Sequence, residues 1–251
     1  VEVDKNVADS GNITVTGGTL ETSNGKIYVS TYGANENQGV FTITGGSIVN
    51  RDQIQGSGLK INMSGGSVQT KGIDVGTLTL SGGTLTIRDS AGGGMAAAVA
   101  LYARDQKEVA VAFQMLFFPM LDDRMATPSS QNNRMPVWDS DSNEKAWKAY
   151  LGPLYGTEDV PCYAAPARVK DFTGLPPACA FVGTVDPFYD ETAQYMRSLQ
   201  EAGIPARFKA FEGCYHAFDV MAPRSEESKE AREFYMDCFN EAVARYFAKQ
   251  P

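Results

Sequence analysis

The sequence is poor in the residues that hold metals and in the features that target membranes or nucleic acids. It has one histidine and four cysteines without a C-x-x-C pair, which argues against a zinc site of Cys and His ligands. A net charge of −8 argues against a nucleic-acid partner, because phosphate binding needs a basic face. No apolar run approaches the roughly 20 residues of a transmembrane helix, and no basic-then-apolar leader opens the chain. Because the chain starts at Val1 without Met, we expect a trimmed start or a fragment.

The composition of the chain changes near residue 88. All twelve prolines, both tryptophans, the histidine and the cysteines lie after that point. We therefore predict two units, residues 1–87 and residues 88–251. The cysteines are expected to be free thiols, which favours a reducing compartment such as the cytoplasm for the second unit. They are Cys162, Cys179, Cys214 and Cys238.

The first unit is a repeat of alternating segments around Gly-Gly. Each copy has an alternating strand, Thr or Ser, Gly-Gly, and a second alternating strand. Short repeats that cannot bury a face alone stack on one another, which predicts an all-β solenoid. A set of meandering β-hairpins is the alternative. The copies are NITVTGGTLET (12–22), VFTITGGSIVN (40–50), LKINMSGGSVQT (59–70) and TLTLSGGTLTI (77–87).

These Gly-Gly-Thr/Ser repeats resemble bacterial surface β-solenoids, including adhesin-like and carbohydrate-binding modules. The resemblance implies a cell-surface or secreted setting for this unit and a possible contact with carbohydrate or a surface. The only aromatic residues that could stack on a sugar are Tyr28, Tyr32 and Phe41. A structural role is therefore favoured over a binding role for residues 1–87.

The second unit alternates strand-like and helix-like segments. We predict strands at 84–87, 109–120, 178–186 and 206–213, and helices at 93–106, 190–203 and 226–250. Such alternation is typical of a parallel α/β sheet with flanking helices. The 109–120 segment is continuously apolar, as expected for a strand covered on both faces.

Three polar residues follow the strands of this predicted sheet. Ser90 follows the first strand, Asp186 ends the third, and His216 follows the fourth. The carboxyl ends of parallel strands share one edge, and the order Ser–Asp–His is that of an α/β-hydrolase triad. Ser90 would attack an acyl carbon, His216 would take its proton, and Asp186 would orient the imidazole. We expect the side chains of Ser90 and His216 to cluster at this edge, and a separation above about 8 Å, well beyond hydrogen-bond reach even in a loose apo site, would contradict this.

Residues 88–248 resemble the hormone-sensitive-lipase-like carboxylesterases of the α/β-hydrolase fold. The blocks that carry the resemblance are RDSAGGG (88–94), FFPMLDDR (117–124), AWKAYLG (146–152), YAAPARVKDFTGLPPACAFVGTVDPFYDE (163–191) and GCYHAF (213–218). It implies a catalytic triad of Ser90, Asp186 and His216 and an oxyanion-hole amide at Ala91. It also implies small acyl-ester substrates and no metal or organic cofactor. Asp190 and the 122–124 cluster are expected to hold loops.

Two departures from the family pattern bear on activity. Arg88 stands where the elbow motif has its first glycine, and we expect it to strain the turn. The family's amino-terminal half and its HGGG oxyanion loop have no counterpart, and His216 is the only histidine. We therefore expect a truncated α/β-hydrolase with impaired esterase activity. The alternative is a non-enzymatic surface-binding protein. Recombination, an engineered fusion or a sequence-assembly artefact would each explain the junction between the two units near residue 88.

Overall fold

The computed structural model describes residues 13–17, 19–22, 27–28, 40–45, 47–50, 53–70, 72–87 and 90–246. Arg88, Tyr32 and the end of the predicted closing helix beyond residue 246 lie outside this part of the chain. The chain divides into two compact units, residues 1–88 and 89–251. Each unit has its own sheet.

The first unit contains a seven-stranded sheet in which every described pairing is parallel. The strand order is β1-β4-β6-β5-β2, and β3 and β7 also pair with β6. The strands are β1 (Ile13–Val15), β2 (Thr19–Thr22), β3 (Ile27–Tyr28), β4 (Val40–Ile43), β5 (Ser47–Asn50), β6 (Gln53–Thr70) and β7 (Gly72–Ile87).

The repeats of this unit align with one another in register. Ile13 pairs with Phe41, Phe41 with Ile61, and Ile61 with Leu78. Side chains alternate between the two faces of a strand, so in-register pairing brings like residues into one row. Buried members of these rows include Phe41, Ile43, Ile48, Ile61, Met63 and Val68. The same positions of successive repeats therefore share one apolar core.

The second unit has a three-stranded parallel sheet in the order β10-β9-β8, which agrees with the predicted α/β class. The segment 84–87, predicted as the first strand of this sheet, instead ends β7 in the sheet of the first unit. Helices alternate with these strands along the chain. The elements are α1 (Ser90–Gln106), β8 (Gln114–Phe117), α2 (Ser140–Leu151), β9 (Ala178–Gly183), α3 (Tyr189–Glu201), β10 (Ala206–Phe211), α4 (Phe218–Met221) and α5 (Glu226–Arg245), with 3₁₀ turns at Gly152–Leu154 and Pro166–Arg168.

The structure differs most from the sequence prediction at β8 and α2. β8 has four residues, whereas the apolar run suggested a strand over 109–120. Residues 109–113 are only half-buried, and the ladder with β9 begins at Gln114. Helix α2 was not predicted, although Asp139 caps it by accepting from the Ser142 N–H at 2.7 Å. Trp147 and Leu151, four residues apart, form its buried face.

Two glycines let helix α1 lie against the chain that follows β8. A Cβ on Gly93 would meet the Phe117 carbonyl oxygen at 2.9 Å, and one on Gly94 would collide with the Met120 carbonyl. Both residues are buried inside the helix, where glycine normally costs about 1 kcal/mol relative to alanine. The close approach therefore explains why glycine occupies these positions. Among the described helices, none is long and apolar enough to cross a membrane.

The apolar rows of the first unit make a stability prediction. Ile61 is 2% exposed, whereas the neighbouring Asn62 on the same strand is exposed. Ile61→Ala should lower the unfolding free energy of this unit by about 2–5 kcal/mol, because it leaves a cavity among the buried apolar rows. Asn62→Ala, the matched control, should change it by less than about 0.5 kcal/mol. Denaturant unfolding measures both, and equal effects would contradict a shared core.

Candidate active site

Asp186 and His216 form a buried hydrogen-bonded pair. The Asp186 Oδ2 atom lies 2.8 Å from His216 Nδ1, and the two residues are 0% and 6% exposed. The other carboxylate oxygen, Oδ1, accepts from the Phe188 N–H at 2.9 Å. The aspartate is thus held from both sides, and the imidazole is held through Nδ1. This arrangement leaves Nε2 on the opposite side of the ring.

The pair forms because the turns after β9 and β10 lie in direct contact. The Val185 N–H donates to the Cys214 carbonyl at 3.2 Å, and the Gly213 N–H donates to Thr184 Oγ1 at 2.9 Å. Gly183, the last residue of β9, makes this approach possible, because a Cβ there would collide with the Cys214 carbonyl. These contacts between the two turns place the residues that follow β9 and β10 side by side.

Three aromatic rings surround the imidazole of His216. The Phe118 and Phe188 rings meet it edge-on, with centroid distances of 4.9 and 5.3 Å. The half-buried Trp138 ring lies at 6.1 Å. Apolar rings next to the pair exclude water, so the hydrogen bond between His216 and Asp186 acts in a medium of low polarity.

Ser90 is the first residue of α1 and is attached to the segment that packs on His216. The Ser90 carbonyl accepts from the Met120 N–H at 2.9 Å, and Met120 is two residues from Phe118. Phe118 itself has φ of +33°, a conformation that non-glycine residues rarely adopt. The turn after β8 therefore contacts both the start of α1 and the imidazole.

The link between Ser90 and His216 is a prediction that the described contacts leave open. Ser90 is half-buried, and the structure records no hydrogen bond from its hydroxyl to another described residue. Ala91 is exposed in the first turn of α1, where backbone N–H groups have no partner within the helix. The assignment of this amide to an oxyanion hole stays a prediction. Arg88, which precedes this turn, lies outside the described residues.

The acidic residues beside the site hold loops, as expected from the sequence. Asp123 forms a two-point ion pair with Arg168, with N–O distances of 2.7 and 2.9 Å. Asp122 binds Arg124 in the same way, at 2.7 and 2.8 Å. Asp190 accepts from the Ser129 N–H at 2.8 Å. These carboxylates serve as structural anchors around the site.

Other features of the second unit lie apart from this pair. A cavity of about 320 Å³ is lined by the end of α1, residues 109–111, Gly174 and Pro176, and includes neither Asp186 nor His216. Within the described residues, no three His, Cys, Asp or Glu side chains are arranged to hold a metal ion. The cysteines are free thiols, and Cys179 and Cys238 are buried.

Comparison with known proteins assigns this chain to a family. A family model described as "alpha/beta hydrolase fold" matches residues 62–220, more than half of the chain. The chain belongs to the α/β-hydrolase family. The match begins inside β6, so the family pattern and the repeats overlap along residues 62–87.

Several esterases resemble this α/β-hydrolase. Esterase LipI of Mycobacterium tuberculosis is 30% identical over 148 residues, which cover 59% of this chain and 44% of LipI. Carboxylesterase NlhH of the same species is 32% identical over 149 residues, which cover 56% and 46%. The structure of a bacterial heroin esterase superposes with a TM-score of 0.59 and 33% identity, over 75% of this chain and 53% of that one. The chain spans about half the length of these relatives.

Sequence reasoning missed the residues that bring this hydrolase pair together. Gly183 was read as an ordinary strand residue, and Phe118 as part of an apolar run. A glycine at the end of an otherwise apolar, buried strand does signal close backbone approach. No sequence signal indicates which rings pack on His216, because those contacts join segments about 30 to 100 residues apart.

Replacement of Gly183 tests how the pair is assembled. In Gly183→Ala the new methyl group displaces the Cys214 carbonyl, so the protein should lose about 3 kcal/mol or more of unfolding free energy. The His216–Asp186 hydrogen bond should also weaken, seen as loss of the imidazole Nδ1–H signal in proton NMR. Since His216 is the only histidine, its signal needs no assignment by mutation.

Gly203→Ala is the control for this substitution. Gly203 has φ of +77° but open space around its Cβ position. Alanine there costs only backbone strain, about 1–2 kcal/mol, and the Nδ1–H signal should persist. An unchanged signal in Gly183→Ala would show that the two turns assemble without this close contact.

Proposed function

We propose that this chain is a serine hydrolase of small acyl esters, with Ser90 as nucleophile, His216 as base and Asp186 as the residue that orients His216. The observation that carries the proposal is the buried hydrogen bond between His216 Nδ1 and Asp186 Oδ2. A histidine held in this way has a defined tautomer and a free Nε2, which general-base catalysis requires. The esterase names of several relatives support the same reaction class.

The proposed reaction proceeds in two acyl-transfer steps. Ser90 Oγ attacks the ester carbonyl carbon while His216 Nε2 takes the hydroxyl proton. Asp186 stabilises the imidazolium that results, and the Ala91 N–H donates to the negative oxygen of the tetrahedral intermediate. The imidazolium then protonates the departing alcohol and leaves an acyl group on Ser90. Water, activated by His216, hydrolyses that acyl-enzyme and releases the acid.

The rate is proposed to be low because a second oxyanion donor is missing from these 251 residues. The family's HGGG loop requires a histidine other than His216, and the sequence has none. Ala91 is also exposed, so water screens the charge that its amide stabilises. The loss of one donor typically lowers the rate by about 10²–10³.

We further propose that residues 1–87 form a β-solenoid joined to the hydrolase part at 88–251. The in-register parallel pairing of successive repeats and their shared buried rows support this proposal. Binding of carbohydrate or a surface is less well supported. Phe41, one of three aromatic candidates, is fully buried and unavailable for a sugar ring.

Labelling with a fluorophosphonate tests whether Ser90 is activated. We expect slow but specific labelling that Ser90→Ala abolishes. Asp186→Asn should reduce it by up to about 10⁴, because the amide favours the wrong imidazole tautomer. Labelled protein is detected by mass spectrometry after peptide digestion. Labelling that persists in Ser90→Ala would assign the reactivity to a different residue.

Turnover of a short p-nitrophenyl ester tests whether activity is impaired. The 251-residue chain should hydrolyse it at least about 10³-fold more slowly than a full-length esterase of the family, because an oxyanion donor is absent. Ser90→Ala supplies the background rate. A Ser90-dependent turnover near the enzyme median of about 10 per second would contradict the proposed impairment.

A further inference from the structure

One buried carboxyl group beside the site has no part in the reaction described above. Glu191 lies in the first turn of α3 and is 2% exposed. Its Oε1 atom accepts from the Leu121 N–H at 2.6 Å and is 3.3 Å from the Asp122 nitrogen, which also donates to it. Its Oε2 atom is buried and has no hydrogen-bond partner within the described residues. A buried polar atom without a partner lowers the stability of the fold, so the presence of a glutamate here needs an explanation.

The backbone that Glu191 holds is the turn that links the parts of the site. Met120, one residue before Leu121, donates to the Ser90 carbonyl. Phe118 packs its ring on His216, and its N–H donates to the Phe181 carbonyl of β9 at 2.9 Å. On the other side, Glu191 stands three residues after Phe188, whose N–H binds Asp186. Glu191 is therefore a bridge between the start of α3 and the turn after β8.

We propose that Glu191 is a positioning residue that fixes the spacing between the Ser90 turn and the Asp186–His216 pair. The proposal rests on the hydrolase function proposed above for those three residues. The distance between nucleophile and base must be set to within a fraction of an ångström, and errors near 1 Å cost about 10²-fold in rate. A buried carboxyl oxygen that accepts from two adjacent N–H groups fixes that spacing better than packing alone.

The surroundings of Glu191 favour the neutral form of its carboxyl group. Burial raises the pKa of its carboxyl group well above the usual range, and the charges of Asp122 and Asp186 raise it further. The hydrogen bonds from Leu121 and Asp122 oppose this rise. The facing charges are themselves paired, Asp122 with Arg124 and Asp186 with His216, while the neighbouring Asp190 binds the Ser129 N–H.

The raised pKa fixes the sign of the pH dependence. Between the ordinary pKa of a glutamate and that of folded Glu191, the folded state retains a proton that the unfolded state has lost. Stability therefore falls as pH rises through this window, and its contribution is fully present only below it. Ionisation also leaves a charge on Oε2, which has no donor within the described residues, near the carboxylates of Asp122 and Asp186, and this favours local opening around Glu191.

Three variants test the proposal by NMR of His216, the only histidine. Glu191→Gln keeps the Oε1 acceptor without a titrating proton, Glu191→Ala removes the acceptor, and Glu201→Gln changes an exposed residue of the same helix as control. At neutral pH, Glu191→Gln and Glu201→Gln should keep the Nδ1–H signal of His216. Glu191→Ala should lose it and label at Ser90 about 10²-fold more slowly.

A pH series separates positioning from simple loss of stability. The wild-type protein and Glu201→Gln should lose the Nδ1–H signal as the pH is raised, while Glu191→Gln should retain it. The same alkaline loss in Glu191→Gln would overturn the proposal even if Glu191→Ala does not fold. Unchanged His216 signals and Ser90 labelling in a folded Glu191→Ala would also overturn it. If Ser90 labels in no protein, the hydrolase function fails, yet the His216 signals still decide the role of Glu191.

Discussion

The organisation of the second unit depends on the close packing of the backbone between Phe117 and Asp122. This turn follows the edge strand β8 and contacts α1, His216 and α3 within six residues. Gly93 and Gly94 have no side chains because the Phe117 and Met120 carbonyls occupy that space. Since interiors are packed as densely as organic crystals, such a turn cannot shift without moving its neighbours. The positions of the start of α1 and of the imidazole are thereby coupled.

Much of the second unit was predictable because its signals are local. Apolar periodicity indicated α3 and α5. The order of Ser90, Asp186 and His216 along alternating strands indicated a common edge, and the structure joins the last two. The length of β8 was misjudged, because an apolar run does not reveal where ladder pairing begins. Gly183 and Glu191 act through contacts between distant segments, which no single-sequence pattern encodes.

In the first unit the local structure was predictable, but the pattern does not assign every strand to one architecture. Its repeat pattern predicted strands and the positions that are buried, and Phe41, Ile61 and Val68 are buried as the alternation requires. Yet the family match begins at residue 62, within the repeats. The alternating Thr and Leu of residues 77–87 fit the repeat pattern, and the same residues lie inside the stretch that the family model matches. Residues 77–87 therefore carry too little information to assign them to one architecture by pattern alone.

In the proposed function, the hydrogen-bonded His216–Asp186 pair and the stabilisation of the oxyanion have different structural requirements. The hydrogen bond between His216 and Asp186 is enclosed by Phe118 and Phe188 and is independent of the amino-terminal half of the family fold. Stabilisation of the oxyanion has different requirements, since donors are most effective when they are fixed and shielded from water. Ala91 is exposed, and one amide at a helix start supplies only part of that stabilisation. In the proposed function, the rate is therefore limited by stabilisation of the oxyanion rather than by the His216–Asp186 pair.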